Sequence, residues 1–163
     1  MTRLIKSAAA LIVATFAATH ANAQGVVSQR IMSLPLAKAI AEAALSTCQA
    51  KGFHTSVAVV DRAGQLMVIL RDEQAGPETP EMARRKAYTA RVFRLPSLDF
   101  QKRTMEPGYA AQRNAPDILA LGGGVPIKIG EEVIGAVGSS GSSQENDDAC
   151  AKAGIAKVAD QLK

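Results

Sequence analysis

Apolar residues recur at helical spacing early in the chain. Within residues 35–51 they fall four positions apart, which places one stripe of side chains on a single helix face. Pro35 suits the first turn of such a helix, Gly52 suits the position just after its end, and Ser33 or Leu34 can cap it. The pattern predicts a helix over this segment.

Two pairs of short apolar runs predict β-hairpins. Residues 56–60 and 66–70 are rich in β-branched and long aliphatic side chains, and they flank the turn Asp61-Arg62-Ala63-Gly64. Residues 125–129 and 133–137 flank Gly130-Glu131-Glu132 in the same way. We expect each pair to form two antiparallel strands.

The remaining segments predict three helices and one more strand. A helix is expected from about residue 80 to residue 94 with Thr79 as its N-cap, followed by a short helix within residues 97–112. The apolar run 118–121 predicts a strand before the glycine triplet 122–124. Ser142-x-x-Glu145 matches a capping box for a last helix that continues to about Leu162.

The element order is therefore α-β-β-α-(α)-β-β-β-α, which indicates an α/β fold of the α+β type. Five strands joined largely by hairpins predict one antiparallel sheet, with the first and last helices packed side by side on it. Antiparallel neighbouring helices would bring Cys48 and Cys150 together, so their positions favour a disulfide. The alternative is two buried thiols.

The first residues resemble a secretory signal peptide. Arg3 and Lys6 precede an apolar run, and Ala21-Asn22-Ala23 matches a cleavage site. We expect residues 1–23 to be removed and residues 24–163 to form a single domain with no membrane span, in the periplasm or secreted. Loss of Arg3 and Lys6 lowers the net charge from +4 to +2, and aromatic residues make up 4% of the chain. Neither value favours a nucleic-acid partner.

Candidate chemistry centres on the cations of the helix over residues 80–94. Ala83, Ala87 and Ala90 share one face, which allows close approach to a sheet, and the cations Arg84, Arg85, Lys86, Arg91 and Arg94 occupy more than one side. A charge run is most often a solvated face. Arginine also pairs well with carboxylates, so a ligand with an apolar body and carboxylate arms would suit alanine-lined space bordered by arginine.

Other candidate sites have simpler interpretations. The glycines of residues 135–141 could hold an anion at a helix start, but a tight bend under a closely packed helix is favoured. Glu145, Asp147 and Asp148 suit the first turns of a helix without any metal, and Asp72-Glu73 is typical of exposed turns. His54 is the only histidine after residue 23, so no catalytic triad or multi-histidine metal site is supported, and a binding protein is favoured over an enzyme.

Several motifs together resemble the GlcG/HbpS family of small haem-binding proteins. They are V-V-D-R-x-G at residues 59–64, A-G-P at 75–77, R-K-A-Y-T-A at 85–90, G-G-G-V-P at 122–126 and G-A-V-G at 135–138, followed by an acidic helix start. The resemblance covers nearly the whole chain after residue 34. It implies a profilin-like or PAS-like sandwich that assembles into homo-oligomers.

The resemblance also implies a ligand and the residues that hold it. Matched by position, Arg85, Lys86, Tyr88, Thr89 and Ser97 are expected to contact haem, taken as haem b. Candidate iron ligands are Ser97, His54 and Met105, or a residue of a neighbouring subunit. The function that the resemblance implies is haem sensing, buffering or storage. Sensing here includes redox sensing with an unspecified signalling partner. The alternative is a small organic acid as ligand, bound by a protein or enzyme accessory of glycolate or corrinoid metabolism.

Overall fold

The structure, a computed structural model, describes residues 25–163. The predicted signal peptide lies outside the described residues. None of the helices in the described part of the chain is long and apolar enough to cross a membrane.

The first helix forms where the apolar spacing predicts it. Helix α1 spans Leu34–Gln49, with Pro35 in its first turn and Ser33 as its N-cap. The Ser33 hydroxyl accepts a hydrogen bond from the Leu36 amide at 3.4 Å, which satisfies one of the free donors at the helix start. The buried face of α1 consists of Ala37, Ile40, Ala41, Ala44 and Cys48.

Both predicted hairpins are confirmed, and they combine into one antiparallel sheet. The strands are β1 (Ser56–Val60), β2 (Leu66–Arg71), β3 (Gly124–Ile129) and β4 (Glu132–Ser140). Their order in the sheet is β2-β1-β4-β3. The central pair, β1 and β4, joins the two hairpins, with Val57 opposite Ser139 and Val59 opposite Val137.

Helices cover both faces of this sheet. The remaining helices are α2 (Thr79–Phe93), α3 (Ser97–Arg103) and α4 (Gln144–Lys157), with 3-10 turns at Pro107–Asn114 and Ala159–Gln161. Helices α1 and α4 pack against each other and the sheet, as predicted, whereas α2 packs with Val60 and Ala136 on the opposite side. The main apolar core lies between the sheet and the α1–α4 pair, around Ile40, Val57 and Val137.

The prediction of five strands is wrong, because the described chain contains four. Residues 118–121 run alongside α2 as irregular backbone, and side chains take the place of a strand partner. The Leu119 amide donates to Thr89 Oγ1 at 2.9 Å, and the Ile118 carbonyl accepts from Arg85 at 2.7 Å. The side chains of this segment are buried or partly buried, which accounts for its apolar composition. The hydrogen bonds to Thr89 and Arg85 satisfy its backbone groups without a neighbouring strand.

Helix ends also differ in detail from the prediction. The cap of α4 is Ser143, which accepts from the Asn146 amide at 3.2 Å, so the Ser142 capping box is wrong by one residue. Helix α4 ends at Lys157, before the predicted Leu162. Thr79 begins α2 without capping it: its hydroxyl bonds to the Gly76 carbonyl, and Glu78 occupies the cap position.

Helix α2 approaches the sheet very closely, as its alanine face predicts. A Cβ atom added to Gly138 of β4 would lie 2.1 Å from the Ala83 carbonyl oxygen and 2.7 Å from the Ala87 nitrogen. Glycine is therefore required here by the adjacent helix backbone, which supports the tight-packing interpretation of this glycine-rich stretch.

The Cys48–Cys150 disulfide is confirmed. It joins α1 to α4, with Cα atoms 5.6 Å apart and both cysteines fully buried. The bridge fixes the two helices on one face of the sheet and closes a loop between positions 102 residues apart.

Gly138→Ala should lower the free energy of unfolding by about 3 kcal/mol, because the new methyl group forces α2 away from β4. Gly108→Ala is the matched control, since nothing lies within 4 Å of its added Cβ. Urea unfolding of both variants tests this. Equal stabilities would contradict the close packing.

Replacing both Cys48 and Cys150 by alanine should lower the free energy of unfolding by roughly 2–5 kcal/mol, because the unfolded chain regains loop entropy. Denaturant unfolding with and without reductant measures the effect. Reductant should destabilise the parent protein and leave the double variant unchanged; a parent indifferent to reductant would count against the bridge.

Candidate functional site

The predicted ligand residues of α2 mainly bind other parts of the same chain. Arg85 donates to the Ile118 carbonyl, and Thr89 Oγ1 accepts from the Leu119 amide while donating to the Arg85 carbonyl at 2.8 Å. These contacts attach the irregular segment before β3 to the helix. Thr89 is fully buried, so its hydroxyl has no exposed surface for a ligand.

Ser97 has a similar position at the start of α3. Its hydroxyl donates to the Leu121 carbonyl at 2.7 Å and accepts from the Gly124 amide at 2.8 Å. Ser97 is fully buried. Contact between this hydroxyl and haem iron would therefore require the segment from Leu121 to Gly124 to move away.

Lys86 is the most deeply buried cation of α2. It is 2% exposed, and its ammonium donates to Asp147 Oδ2 at 2.8 Å and to the Ser139 carbonyl at 3.1 Å. Asp147 Oδ1 also accepts from the Ser142 amide. Burial raises the pKa of Asp147, and the Lys86 charge and hydrogen bond oppose that shift. Asp147 thus serves as the partner of Lys86, which the first-turn interpretation of the acidic residues missed.

Tyr88 and Arg84 lie on other sides of α2. The Tyr88 ring packs on the β1–β2 turn, where a Cβ added to Gly64 would lie 2.8 Å from Cε2. Arg84 binds Glu81 at 2.7 Å and Asp117 at 2.6 Å, and these hydrogen bonds raise the pKa of Arg84. Both side chains are therefore engaged within the chain.

The predicted alanine-lined slot is wrong. Ala83, Ala87 and Ala90 are fully buried because their face of α2 packs on the sheet. No room remains beside them for a flat ligand, although the charged edges of α2 reach two separate cavities.

A cleft of about 540 Å³ lies where β1 begins and β4 ends, between the starts of α2 and α4. We call it the His54 cleft. Its lining includes the apolar side chains of Phe53, Met82 and Leu121 and the polar side chains of His54, Glu78, Lys86, Ser142, Gln144 and Asp147. Of the predicted site residues it brings together His54 and Lys86, and it excludes Arg85, Tyr88, Thr89, Ser97 and Met105.

His54 is held in place by a buried carboxylate. Its Nδ1 lies 3.0 Å from Asp72 Oδ1, while 44% of the His54 side chain is exposed and only 4% of the Asp72 side chain. Asp72 also accepts from Gln49 Nε2 at 2.8 Å and from the Gln74 amide at 2.9 Å. The Gln49 hydrogen bond, with those of Gln74 and His54, lowers the pKa of Asp72.

This pairing leaves Nε2 of His54 as the ring nitrogen without a hydrogen-bond partner in the described structure. A histidine that donates Nδ1–H to a carboxylate is held in one orientation, as metal-ligating histidines usually are. Among residues 25–163 no group of three or more His, Cys, Asp and Glu residues could hold a metal ion.

Met105 lies outside this cleft. It is 68% exposed, and its sulfur contacts Arg113 at 3.1 Å. The nearby Arg103 guanidinium lies over the rings of Phe93, Phe100 and Tyr109, at 5.0–5.7 Å from their centroids. These cation–π contacts hold the three rings and Arg103 together.

The decisive residue that the sequence interpretation missed is Asp72. It was grouped with Glu73 as an exposed turn charge, yet it is 5% exposed. The hairpin register contains the signal: Ser56 pairs with Arg71, so the residues just before β1 lie beside those just after β2. Continued by one pair, that register places Asp72 opposite Thr55, next to His54 in the chain.

A model of a protein family described as "Haem degrading protein HbpS-like" matches residues 32–156. The chain belongs to this HbpS-like family. Protein GlcG of Escherichia coli K12 is 33% identical over 110 residues, which cover 68% of this chain and 81% of GlcG.

Solved structures support the same relationship. A crystal structure of HbpS superposes with a TM-score of 0.78 at 34% identity, covering 81% of this chain and 93% of the other. A crystal structure of a PduOC–haem complex has a TM-score of 0.71 at 25% identity, covering 78% of this chain and 95% of the other. The resemblance inferred from sequence motifs is confirmed.

Within this HbpS-like chain, Lys86→Met should lower the free energy of unfolding by about 3–5 kcal/mol, because the buried Asp147 carboxylate loses its partner. Urea unfolding at several pH values tests this. In the folded variant the pKa of Asp147 is raised more than in the folded parent, because Lys86 no longer opposes the effect of burial. The folded state of the variant therefore holds the Asp147 proton more tightly than its unfolded state does. The loss should therefore grow as pH rises from acid to neutral.

The control for that prediction is the double variant Lys86→Met/Asp147→Asn, which removes both charges. It should be more stable at neutral pH than Lys86→Met alone. If the double variant loses as much stability as the sum of the losses in Lys86→Met and in Asp147→Asn, the two side chains are not energetically coupled.

Proposed function

We propose that this HbpS-like protein binds haem in the His54 cleft, with His54 Nε2 as the iron ligand. The observation that carries the proposal is the His54–Asp72 pair on the wall of a cleft of about 540 Å³. Cavities of roughly 300–1,000 Å³ accommodate small molecules and cofactors. The haem named in the PduOC complex and the haem-related family description support this choice of ligand.

The cleft lining fits a flat molecule with an apolar body and polar arms. Phe53, Met82 and Leu121 supply apolar surface. At the start of α4, the side-chain oxygen Oε1 of Gln144 accepts from the Gly122 amide. The side-chain NH2 group of Gln144 is therefore left to donate to a haem carboxylate. Lys86 also lines the cleft, but its ammonium is paired with Asp147, so the two together add no net charge. The arginines of α2 take no part in this arrangement.

A single protein ligand suits reversible haem binding. Haem itself supplies the iron chemistry, and the protein supplies His54, an Asp72 that orients it and a partly apolar wall. We therefore propose haem buffering, storage or sensing, with haem b as the form bound.

We further propose that the protein acts after export, in the periplasm or outside the cell, as a homo-oligomer. The Cys48–Cys150 disulfide supports an oxidising compartment. Exposed apolar side chains support subunit contacts, among them Ile31 at 79% and Ile69 at 40% exposure, the latter on the edge strand β2.

Hemin titration tests the haem proposal. His54→Ala should weaken hemin binding at least tenfold and shift the Soret band, because the iron loses its protein ligand. Asp72→Asn should weaken binding by roughly 10- to 100-fold, since His54 loses its orienting carboxylate. Met105→Leu is the control and should bind hemin like the parent protein.

Circular dichroism of each variant checks that the fold is retained. Unchanged hemin affinity and spectrum in His54→Ala would remove the proposed ligand. A parent protein that is stabilised by glycolate and shows no response to hemin would support the organic-acid alternative instead.

A further inference from the structure

A second cavity, of about 490 Å³, lies at the opposite end of β1 from the His54 cleft. We call it the Arg91 cavity. Its lining combines the apolar side chains of Ile31, Met32 and Met67 with the cations Arg62 and Arg91 and the carboxylate of Asp61. It shares no lining residue with the His54 cleft, so occupation of one cavity leaves the walls of the other free.

Arg91 is the unusual residue of this cavity. Its Nε is buried with no hydrogen-bond partner, and no hydrogen bond or ion pair of its guanidinium exists within residues 25–163. By contrast, Arg84 on the same helix binds two carboxylates. Burial lowers the pKa of Arg91, and the neighbouring charges of Arg94 and Arg62 lower it further, while the charge of Asp61 opposes the shift. A half-buried cation beside other cations is unfavourable unless something compensates it.

Neither of the acidic groups near Arg91 forms an ion pair with it. Oδ1 of Asp61 accepts from the Ala63 and Gln65 amides of its own turn, at 2.8 and 2.9 Å. Glu132 binds Arg62 and also Arg30, the latter at 3.5 Å. The fork of N–H donors on Arg91 therefore remains available to an external anion.

We propose that the Arg91 cavity binds a carboxylate with an apolar body, of the medium-chain fatty acid class. The carboxylate would accept paired hydrogen bonds from the Arg91 guanidinium, the geometry in which arginine binds carboxylates most strongly. The apolar chain would cover Met32, Met67 and Ile31, the last of which is 79% exposed. This ligand removes apolar surface from water and compensates the charge in one step.

Calorimetric titration of the full chain with octanoate tests the proposal. Octanoate should bind, and octanol and acetate should bind at least tenfold more weakly, since each lacks one of the two required parts. Arg91→Met should weaken octanoate binding by roughly 10- to 100-fold, the value expected for lost hydrogen bonds to a charged group. The octanoate affinity of Arg91→Lys should lie between those of the parent and Arg91→Met, because lysine keeps the positive charge but lacks the paired N–H donors of arginine.

The variants also separate folding from binding. Arg91→Met should be at least as stable as the parent without ligand, because it removes a cation that has no hydrogen-bond partner from a partly buried position. Arg84→Ala is the control on the same helix and should leave octanoate binding unchanged. Absence of octanoate binding, or equal affinity in Arg91→Met, would overturn the proposal.

Failure here is distinguishable from failure of the haem proposal. His54→Ala should retain octanoate binding, and Arg91→Met should retain hemin binding. Hemin binding that is lost in Arg91→Met and kept in His54→Ala would overturn both assignments, because it would place haem in the Arg91 cavity.

Discussion

The buried ion pair between Lys86 and Asp147 connects the two sides of the protein. Lys86 belongs to α2 on one face of the sheet, and Asp147 belongs to α4 on the other. Gly123 lies between them: a Cβ atom added there would be 2.8 Å from the Asp147 Cβ and 3.1 Å from the Lys86 ammonium. Neither charge is tolerable at this depth alone, so their pairing fixes how α2, α4 and the glycine triplet fit together.

The same constraint explains what the R-K-A-Y-T-A motif does in this chain. Arg85 and Thr89 bind the irregular segment before β3, and Lys86 binds Asp147 and the end of β4. A motif that appears cationic and ligand-directed in the sequence therefore holds the architecture together. The iron ligand that we propose is instead His54, a residue outside the motif that is held by Asp72.

Much of the fold could be predicted because local patterns determine it. The two hairpins follow from short β-rich runs around turns, and the Cys48–Cys150 bridge follows from antiparallel packing of α1 and α4. The predicted fifth strand failed because hydrophobicity cannot distinguish a strand from an apolar segment whose backbone bonds to side chains. Arg85, Thr89 and Ser97 provide those bonds, and each is distant from its partner in sequence.

The site was harder to predict than the fold, for a related reason. Burial of Asp72 and Asp147 depends on tertiary contacts, whereas in sequence both resemble ordinary exposed acidic residues. The hairpin register places residue 72 opposite Thr55, next to His54, but nothing local links Lys86 to a carboxylate 61 positions away. Likewise, Arg91 can be recognised as a candidate anion-binding residue only when the partners of the nearby charges are known.

Native-state hydrogen exchange at the Leu119 and Gly124 amides tests the central claim most directly, because these amides donate to the hydroxyls of Thr89 and Ser97. If the Thr89 and Ser97 hydroxyls anchor this segment, both amides should exchange only through openings with a free energy close to that of global unfolding. Rapid exchange at both amides, as in an exposed loop, would contradict the structural role assigned to these two side chains.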